Sequence, residues 1–180
     1  MRIYLPKRVS PVDFSYGPFF FLAGPVRGGD DWQQKFCTIL RGYIPHFTAA
    51  LPCRYPEDHP LLPHSIYGHM GEFEHQQYWE RHYIEIAAEK GCLVFWLPEE
   101  SKERPRGNGE PYALETYGEI AEWRGHLMHN PKLRIVIGAE AGFPGLKQIT
   151  RNYCRGTNSN FPIYGTMEET VCAALLKAGR

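Results

Sequence analysis

The amino-acid sequence predicts an α/β protein whose sheet is doubly wound, with about five parallel strands and helices on both of its faces. Two observations lead to this fold class. Short apolar runs alternate with longer stretches of helical spacing along the chain. The clearest run, Cys92–Leu97, is apolar at every position, which is typical of a parallel strand covered on both sides. Parallel strands need long crossover connections, and helices are the usual ones.

Five apolar runs are predicted to be strands, and each of them ends at or beside a glycine or a proline. They are Phe19–Gly24, Phe47–Leu51, Cys92–Leu97, Leu133–Gly138 and Phe161–Tyr164. Residues 1–18 precede the first run and are predicted to be an N-terminal extension of a single domain that spans residues 1–180.

Five stretches between and after these runs are predicted to be helices. They are Asp30–Arg41, Glu72–Lys90, Thr116–Met128, Gly145–Tyr153 and Met167–Ala178. Strict alternation of strand and helix predicts a flavodoxin-like or Rossmann-like topology, in which ligands bind beyond the carboxyl ends of the strands. Candidate functional residues are therefore those that follow Ala23, Leu51, Leu97 and Ile137.

Composition and charge exclude several classes of partner. Twenty Lys and Arg balance twenty Asp and Glu, so the formal net charge is zero. Nucleic-acid polymers and anionic membranes are bound through an excess of positive charge, and we expect neither as a partner. The N-terminal residues lack the apolar core of a signal peptide, and the five cysteines are scattered, so a reducing cytoplasmic location is expected.

Histidines at positions 59, 64, 69, 75 and 82, together with Cys53, raise the question of a metal. Structural zinc ligands usually come in closely spaced pairs, and these do not. A polar loop and a solvated helix face explain them more simply, so we expect no metal and no cofactor.

The loop Gly24–Gly29 (GPVRGG) follows the first predicted strand and precedes a helix. It has neither the G-x-G-x-x-G spacing of a dinucleotide site nor the GK[ST] ending of a P-loop. Two interpretations stay open, a plain strand-to-helix turn and a loop that contacts a sugar or a phosphate.

The segment Tyr112–Trp123 carries two carboxylates, Glu119 and Glu122, three residues apart near the start of a predicted helix. Thr116 and Glu119 also fit the T-x-x-E capping box, in which the glutamate only binds a backbone N–H. Spacing alone favours that structural role. A glutamate in this place could otherwise act as a nucleophile on a bound sugar.

An ordered set of motifs resembles nucleoside 2-deoxyribosyltransferase-like proteins. The motifs are FLAGP at Phe21–Pro25 with Trp32 after it, LPCRYP at Leu51–Pro56, YWE at Tyr78–Glu80, LVFWLP at Leu93–Pro98, TYGEIAEW at Thr116–Trp123, VIGAEAGFPG at Val136–Gly145 and IYGTMEETV at Ile163–Val171. The resemblance covers about residues 19–175 and is strongest from Leu93 to Trp123.

By this resemblance, Glu119 matches the family's catalytic glutamate, which forms a glycosyl–enzyme ester. The resemblance also implies a small nucleoside or nucleotide as the substrate and a homo-oligomer as the assembly. The matching substrate-binding positions are Gly24, Pro25, Asp31, Trp32, Arg54, Tyr55, Glu80 and Trp96. Among these, Trp32, Tyr55 and Trp96, with Tyr78, are candidates to stack on the base, although Trp96 fits the core equally well. Arg54 and Glu80 would fix the substrate or orient Glu119.

The chain departs from the family pattern at three places. Ala113 stands where the transferases have an aspartate that handles the leaving base, Gly91 replaces a frequent aspartate, and a tyrosine of the first loop is missing. Three functions therefore stay open: a transferase, an N-glycosidase that hydrolyses the same bond, and an inactive nucleotide-binding module.

Overall fold

The computed structural model describes residues 1–67, 76–107, 109–156 and 160–179. Its centre is a six-stranded sheet in which every neighbouring pair is parallel, in the order β1-β3-β2-β4-β5-β6. The strands are β1 (Arg2–Tyr4), β2 (Phe19–Ala23), β3 (Thr48–Ala50), β4 (Cys92–Leu97), β5 (Ile135–Ala139) and β6 (Ile163–Tyr164). The predicted doubly wound α/β class is confirmed, with six strands in place of about five.

The additional strand, β1, comes from the segment predicted to be an N-terminal extension. It pairs with β3, with Ile3 opposite Ala49, and so forms one edge of the sheet. Further along the same segment, the backbone of Ser10 forms two hydrogen bonds with Tyr83. The tyrosine hydroxyl accepts from the Ser10 N–H at 2.8 Å and donates to the Ser10 carbonyl at 2.9 Å. The segment is therefore part of the domain.

Five helices cover the two faces of the sheet. They are α1 (Trp32–Tyr43), α2 (Gln76–Lys90), α3 (Leu114–His129), α4 (Leu146–Gly156) and α5 (Met167–Ala178). The buried residues of α1 and α5 join one core cluster, and those of α2, α3 and α4 join the other. Residues 72–75 of the second predicted helix lie outside the described part of the chain. None of the described helices has the length and apolar character needed to cross a membrane.

Successive side chains of a strand enter opposite cores, because side chains alternate along β-structure. Phe19 and Phe21 of β2 pack under α2, whereas Phe20 and Leu22 pack on the side of α1. All four are essentially inaccessible to water. Burial of each such side chain contributes about 1.5–3 kcal/mol to the stability of the fold. Because both faces of the strands are buried, their sequences are continuously apolar.

Strand order reverses between β2 and β4, since the chain passes from β2 to β3 on one side and later to β4 on the other. This reversal opens a crevice at the carboxyl ends of the two strands. The strand ends approach very closely there: a Cβ on Gly24 would stand 2.2 Å from the carbonyl oxygen of Trp96. Gly24 also has a φ of +146°, which a side chain rarely permits.

Candidate active site

A cleft of about 610 Å³ lies at the carboxyl end of the sheet, where the reversal of strand order predicts a ligand site. The loops after β2, β3 and β4 and the first turns of α2 and α3 enclose it. Its lining residues are Ala23 to Arg27, Pro52, Arg54, Gln76, Gln77, Glu80, Arg106, Ala113, Glu115, Thr116 and Glu119. Five of the residues predicted for the site are among them: Gly24, Pro25, Arg54, Glu80 and Glu119.

Trp32 supports this cleft from behind. It is only 4% exposed, and its indole Nε1 donates a hydrogen bond of 2.8 Å to the carbonyl of Pro25. The ring therefore fixes the loop that forms one wall, and it is not among the residues that line the cleft. Trp96 is also buried, and it packs over Gly138 in the core on the side of α5. Of the two roles considered for this ring, base stacking and core packing, its position fits core packing.

Tyr55 and Asp31 form a second supporting cluster around His59. The Tyr55 ring stacks on the imidazole at a centroid distance of 3.8 Å, and its hydroxyl donates to Gln33 Oε1 at 3.2 Å. Asp31 caps α1 by accepting from the Gln34 N–H at 3.1 Å, and its other oxygen lies 2.5 Å from His59 Nε2. Both oxygens of Asp31 are thus engaged by the protein, so this cluster shapes the loops around the cleft.

Glu119 lies in the second turn of α3, partly buried, with its side chain in the cleft. Burial is the main cause that raises its pKa to about 7, and the negative charges of Glu80, Glu115 and Glu122 add to the rise. A carboxyl group in this state exchanges its proton near neutral pH, which is a property of catalytic acids and bases.

Glu80 reaches the same cleft from the first turns of α2. Burial raises the pKa of its carboxyl group, and the charge of Glu115 raises it further. Gln76, one turn earlier, donates from Nε2 to Glu80 Oε1 at 2.5 Å, which orients the carboxyl group and opposes the rise. The site therefore contains two carboxyl groups that resist carrying charge together.

The capping-box role considered for Glu119 is wrong. Helix α3 begins at Leu114, and its N-cap is Ala113, which has a φ of +59° and no side-chain hydrogen bond at the cap. Thr116 is therefore inside the helix, and the side chain of Glu119 points into the cleft. The same T-x-x-E pattern recurs at Thr166–Glu169, and there it does form a capping box, at the start of α5.

A groove of about 780 Å³ runs between α2 and α3 and meets the cleft at Gln77, Glu80 and Glu119. Tyr78 lines the groove and is 66% exposed, so its ring is available to a planar ligand. The two carboxyl groups accordingly stand where two openings join.

The lining residues that were not among the predicted site residues include Arg27, Gln76, Gln77, Arg106 and Glu115. Arg27 belongs to the loop after the first strand, which the sequence does mark. Arg106 lies in a charged linker of no regular pattern, and its position depends on contacts that the linker makes with that loop.

Gly91, a departure from the family pattern, has a packing explanation. A Cβ at this position would stand 2.2 Å from the carbonyl oxygen of Phe19, so the strand pair β2 and β4 leaves no room for a side chain. Among the described residues, no group of three or more His, Cys, Asp or Glu side chains is placed to hold a metal ion. His69 and His75 lie outside these residues.

No protein-family model matches this chain, and no curated protein is similar enough to count as a match.

Proposed function

We propose that the protein cleaves the N-glycosidic bond of a nucleoside-type substrate, with Glu119 as the nucleophile. One observation carries the proposal: Glu119 and a second carboxyl group, Glu80, line the cleft at the carboxyl ends of the strands, where the strand order reverses. The motif TYGEIAEW, which contains Glu119, supports it through its resemblance to the nucleoside 2-deoxyribosyltransferase-like proteins.

In the first step, an ionised oxygen of Glu119 attacks C1′ of the sugar while the bond from C1′ to the base nitrogen breaks. The electron pair of that bond stays with the base. Positive charge develops on the sugar in the transition state, and the carboxylate beside it is stabilising. The product of this step is an ester between the sugar and Glu119.

Glu80 supplies the proton that the leaving base needs. The negative charge of Glu80 raises the pKa of Glu119, which favours a state in which the two carboxyl groups hold one proton between them. The reactive arrangement has that proton on Glu80 while Glu119 is ionised. This division of roles provides an acid in a chain that has Ala113 where the transferases have an aspartate.

In the second step, water or the nitrogen of another base attacks C1′ of the ester, and Glu119 leaves as a carboxylate. The attacking group gives its proton to Glu80, which restores the starting state. Water makes the protein an N-glycosidase, and a second base makes it a transferase. The groove between α2 and α3 is an approach for either, because it opens onto Glu119.

The test compares Glu119→Gln with wild-type protein on a panel of nucleosides and nucleoside monophosphates, with the released base measured by chromatography. We expect loss of at least about 10³-fold in kcat, since the nucleophile is removed. The matched control is Glu122→Gln, one turn further along α3 and 54% exposed, which should keep most of the turnover. Unchanged turnover in Glu119→Gln would refute the mechanism.

An acceptor base separates the two reactions. Free sugar that forms without an acceptor indicates hydrolysis, whereas product that forms only when a second base is added indicates transfer. Saturable binding of a substrate by wild-type protein, with no product after long incubation, would instead favour the inactive nucleotide-binding module.

We also infer, from the resemblance and the composition, a cytoplasmic homo-oligomer. All five cysteines are free thiols, which agrees with a reducing compartment. Sedimentation equilibrium of the purified chain tests the assembly, and a monomer at micromolar concentration would contradict it.

A further inference from the structure

Three arginines line the cleft, although the chain as a whole has no net charge. Arg27, Arg54 and Arg106 reach it from three separate loops, which follow β2, β3 and β4. The carboxyl groups that share the cleft come from the helices α2 and α3. The loops therefore contribute three arginines to a site to which the helices contribute three glutamates, Glu80, Glu115 and Glu119.

Arg106 has a hydrogen-bond donor that no described residue accepts from. Its side chain is 11% exposed, Nη2 forms an ion pair with Glu110, and Nη1 donates to the carbonyl of Pro111 at 3.4 Å. Its Nε is buried and has no hydrogen-bond partner among the described residues. A buried donor without a partner costs free energy, and an acceptor oxygen of a ligand would remove that cost.

The loop of Arg27 and the linker of Arg106 are packed together. The Ser101 N–H donates a hydrogen bond of 2.6 Å to the carbonyl of Gly28, next to Arg27. The backbone nitrogen of Arg106 lies 3.2 Å from the point where a Cβ on Gly28 would stand. Arg27 and Arg106 are therefore carried to the cleft by backbone segments that touch each other.

We propose that these arginines form a subsite for a phosphate monoester, and that the substrate of the cleft is a nucleoside 5′-monophosphate. This inference rests on the proposed function, because it places the reacting sugar at Glu119. A neutral nucleoside would gain little from several guanidinium groups. A phosphate dianion, by contrast, accepts charge-assisted hydrogen bonds from the planar fork of arginine. The phosphate end of the substrate faces the loops, and the scissile bond faces the carboxyl groups of the helices.

The test measures binding in the Glu119→Gln variant, which forms no ester, so that the result does not depend on turnover. Isothermal titration calorimetry compares the common 2′-deoxynucleoside and ribonucleoside 5′-monophosphates with their parent nucleosides. For at least one base, the monophosphate should bind about tenfold more tightly or better. Arg27→Gln should remove most of this advantage and leave the affinity for the parent nucleoside unchanged.

Two controls sharpen the result. Lys35→Gln removes an exposed positive charge of α1 outside the cleft and should retain the full advantage of the monophosphate. Arg106→Lys keeps the positive charge but removes the buried Nε donor, and it should reduce the advantage in part. Both variants are compared in the Glu119→Gln background.

Equal affinity for monophosphate and nucleoside, or no binding of either, would overturn the subsite. 2-Deoxyribose 5-phosphate that binds as tightly as the nucleotides would assign the subsite to sugar phosphates and overturn the nucleotide assignment. The two proposals fail differently: base release from nucleosides at the same kcat/KM as from monophosphates refutes only the subsite. Tight binding of a monophosphate without base release by wild-type protein refutes only the chemistry.

Discussion

Glu80 on α2 and Glu119 on α3 enter one cleft from two helices, and the negative charge of Glu80 contributes to a pKa of about 7 for Glu119. Burial is the larger cause. The relationship brings together two carboxyl groups that are 39 positions apart in the chain and that are the acid and the nucleophile of the proposed reaction. It would make the proposed reaction sensitive to pH near neutrality.

The pH profile of kcat/KM should fall as the pH rises through about 7, because the pKa of Glu119 beside an ionised Glu80 lies there and the pair then loses the one proton that it shares. It should rise on the acid side of this limb, where the pair passes from two protons to one and Glu119 becomes able to attack C1′ in its ionised form. Stopped assays of base release between pH 5 and 9, in buffers of constant ionic strength, would show this bell. A rate that stays level across that range would contradict the paired roles.

Glu80→Gln should lower kcat by about 10²–10⁴-fold on an ordinary base, because the proton donor is lost. The fall above about pH 7 should also disappear, because Glu119 then titrates alone and removal of the Glu80 charge lowers its pKa. A base that is already cationic, as in an N7-methylguanine nucleotide, leaves without a proton and should be released almost normally by the variant. Glu85→Gln, exposed on the same helix, serves as the control. An equal loss on both substrates would indicate a structural role.

Glu119 should also make the fold less stable as the pH rises. Its pKa is about 7 in the folded chain and 4.5 for an unperturbed glutamate, so folding favours the protonated form. The stability is complete below about pH 4.5 and is lost as the pH rises through about 7. In urea unfolding, we compare the free energy of unfolding of Glu119→Gln with that of wild type. This difference should favour the variant by about 1–3 kcal/mol more at pH 8 than at pH 4.5. The same difference between the two proteins at both pH values would contradict the burial of this carboxyl group.

Asp31→Ala should destabilise the protein by about 1–2 kcal/mol without weakening nucleotide affinity by more than about twofold. The variant loses the cap on Gln34 and the contact with His59. Asp30→Ala removes the neighbouring exposed carboxylate and should change the stability very little. Thermal unfolding and calorimetric titration measure the two effects. A large loss of affinity with normal stability would restore Asp31 as a substrate-binding residue.

Gly24→Ala should destabilise the protein by about 2–4 kcal/mol, because the added Cβ meets the Trp96 carbonyl and the φ of residue 24 is positive. Gly42→Ala is the matched control: it lies in α1, and a Cβ there would meet nothing within 4 Å. That variant should be more stable by about 0.5–1 kcal/mol. If Gly24→Ala does not fold, the soluble yields of the two variants are compared instead, and that of Gly24→Ala should be much lower. Equal stability of the two would refute the close approach of the strands.

The strands could be predicted where burial on both faces leaves a continuous apolar run, as in Cys92–Leu97. Strand β1 could not, because it has only three residues, one of them charged, and Pro6 follows closely. Its pairing depends on β3, which lies more than 40 positions further on, and no local pattern encodes that contact.

Topology predicts part of the candidate site from the sequence, whereas local patterns leave the roles of other residues undecided. The position of Glu119 follows from topology, which places the helix after β4 at the carboxyl edge of the sheet. Trp96, however, lies in a strand that is apolar on both faces, so periodicity does not separate a base-stacking ring from a core ring. Thr116 and Thr166 begin the same T-x-x-E pattern, and only the point at which each helix starts decides which of them is a cap.

Glu119, at the junction of the cleft and the groove, would determine the stereochemistry of the proposed reaction, because C1′ is attacked twice. Attack by the carboxylate inverts C1′, and attack on the ester inverts it again, so the configuration of the starting nucleoside is retained. With methanol as the acceptor, a β-nucleotide would yield the β-methyl glycoside. Direct displacement by a single incoming molecule would yield the α anomer, so the configuration of this product reports whether the sugar was ever attached to the protein.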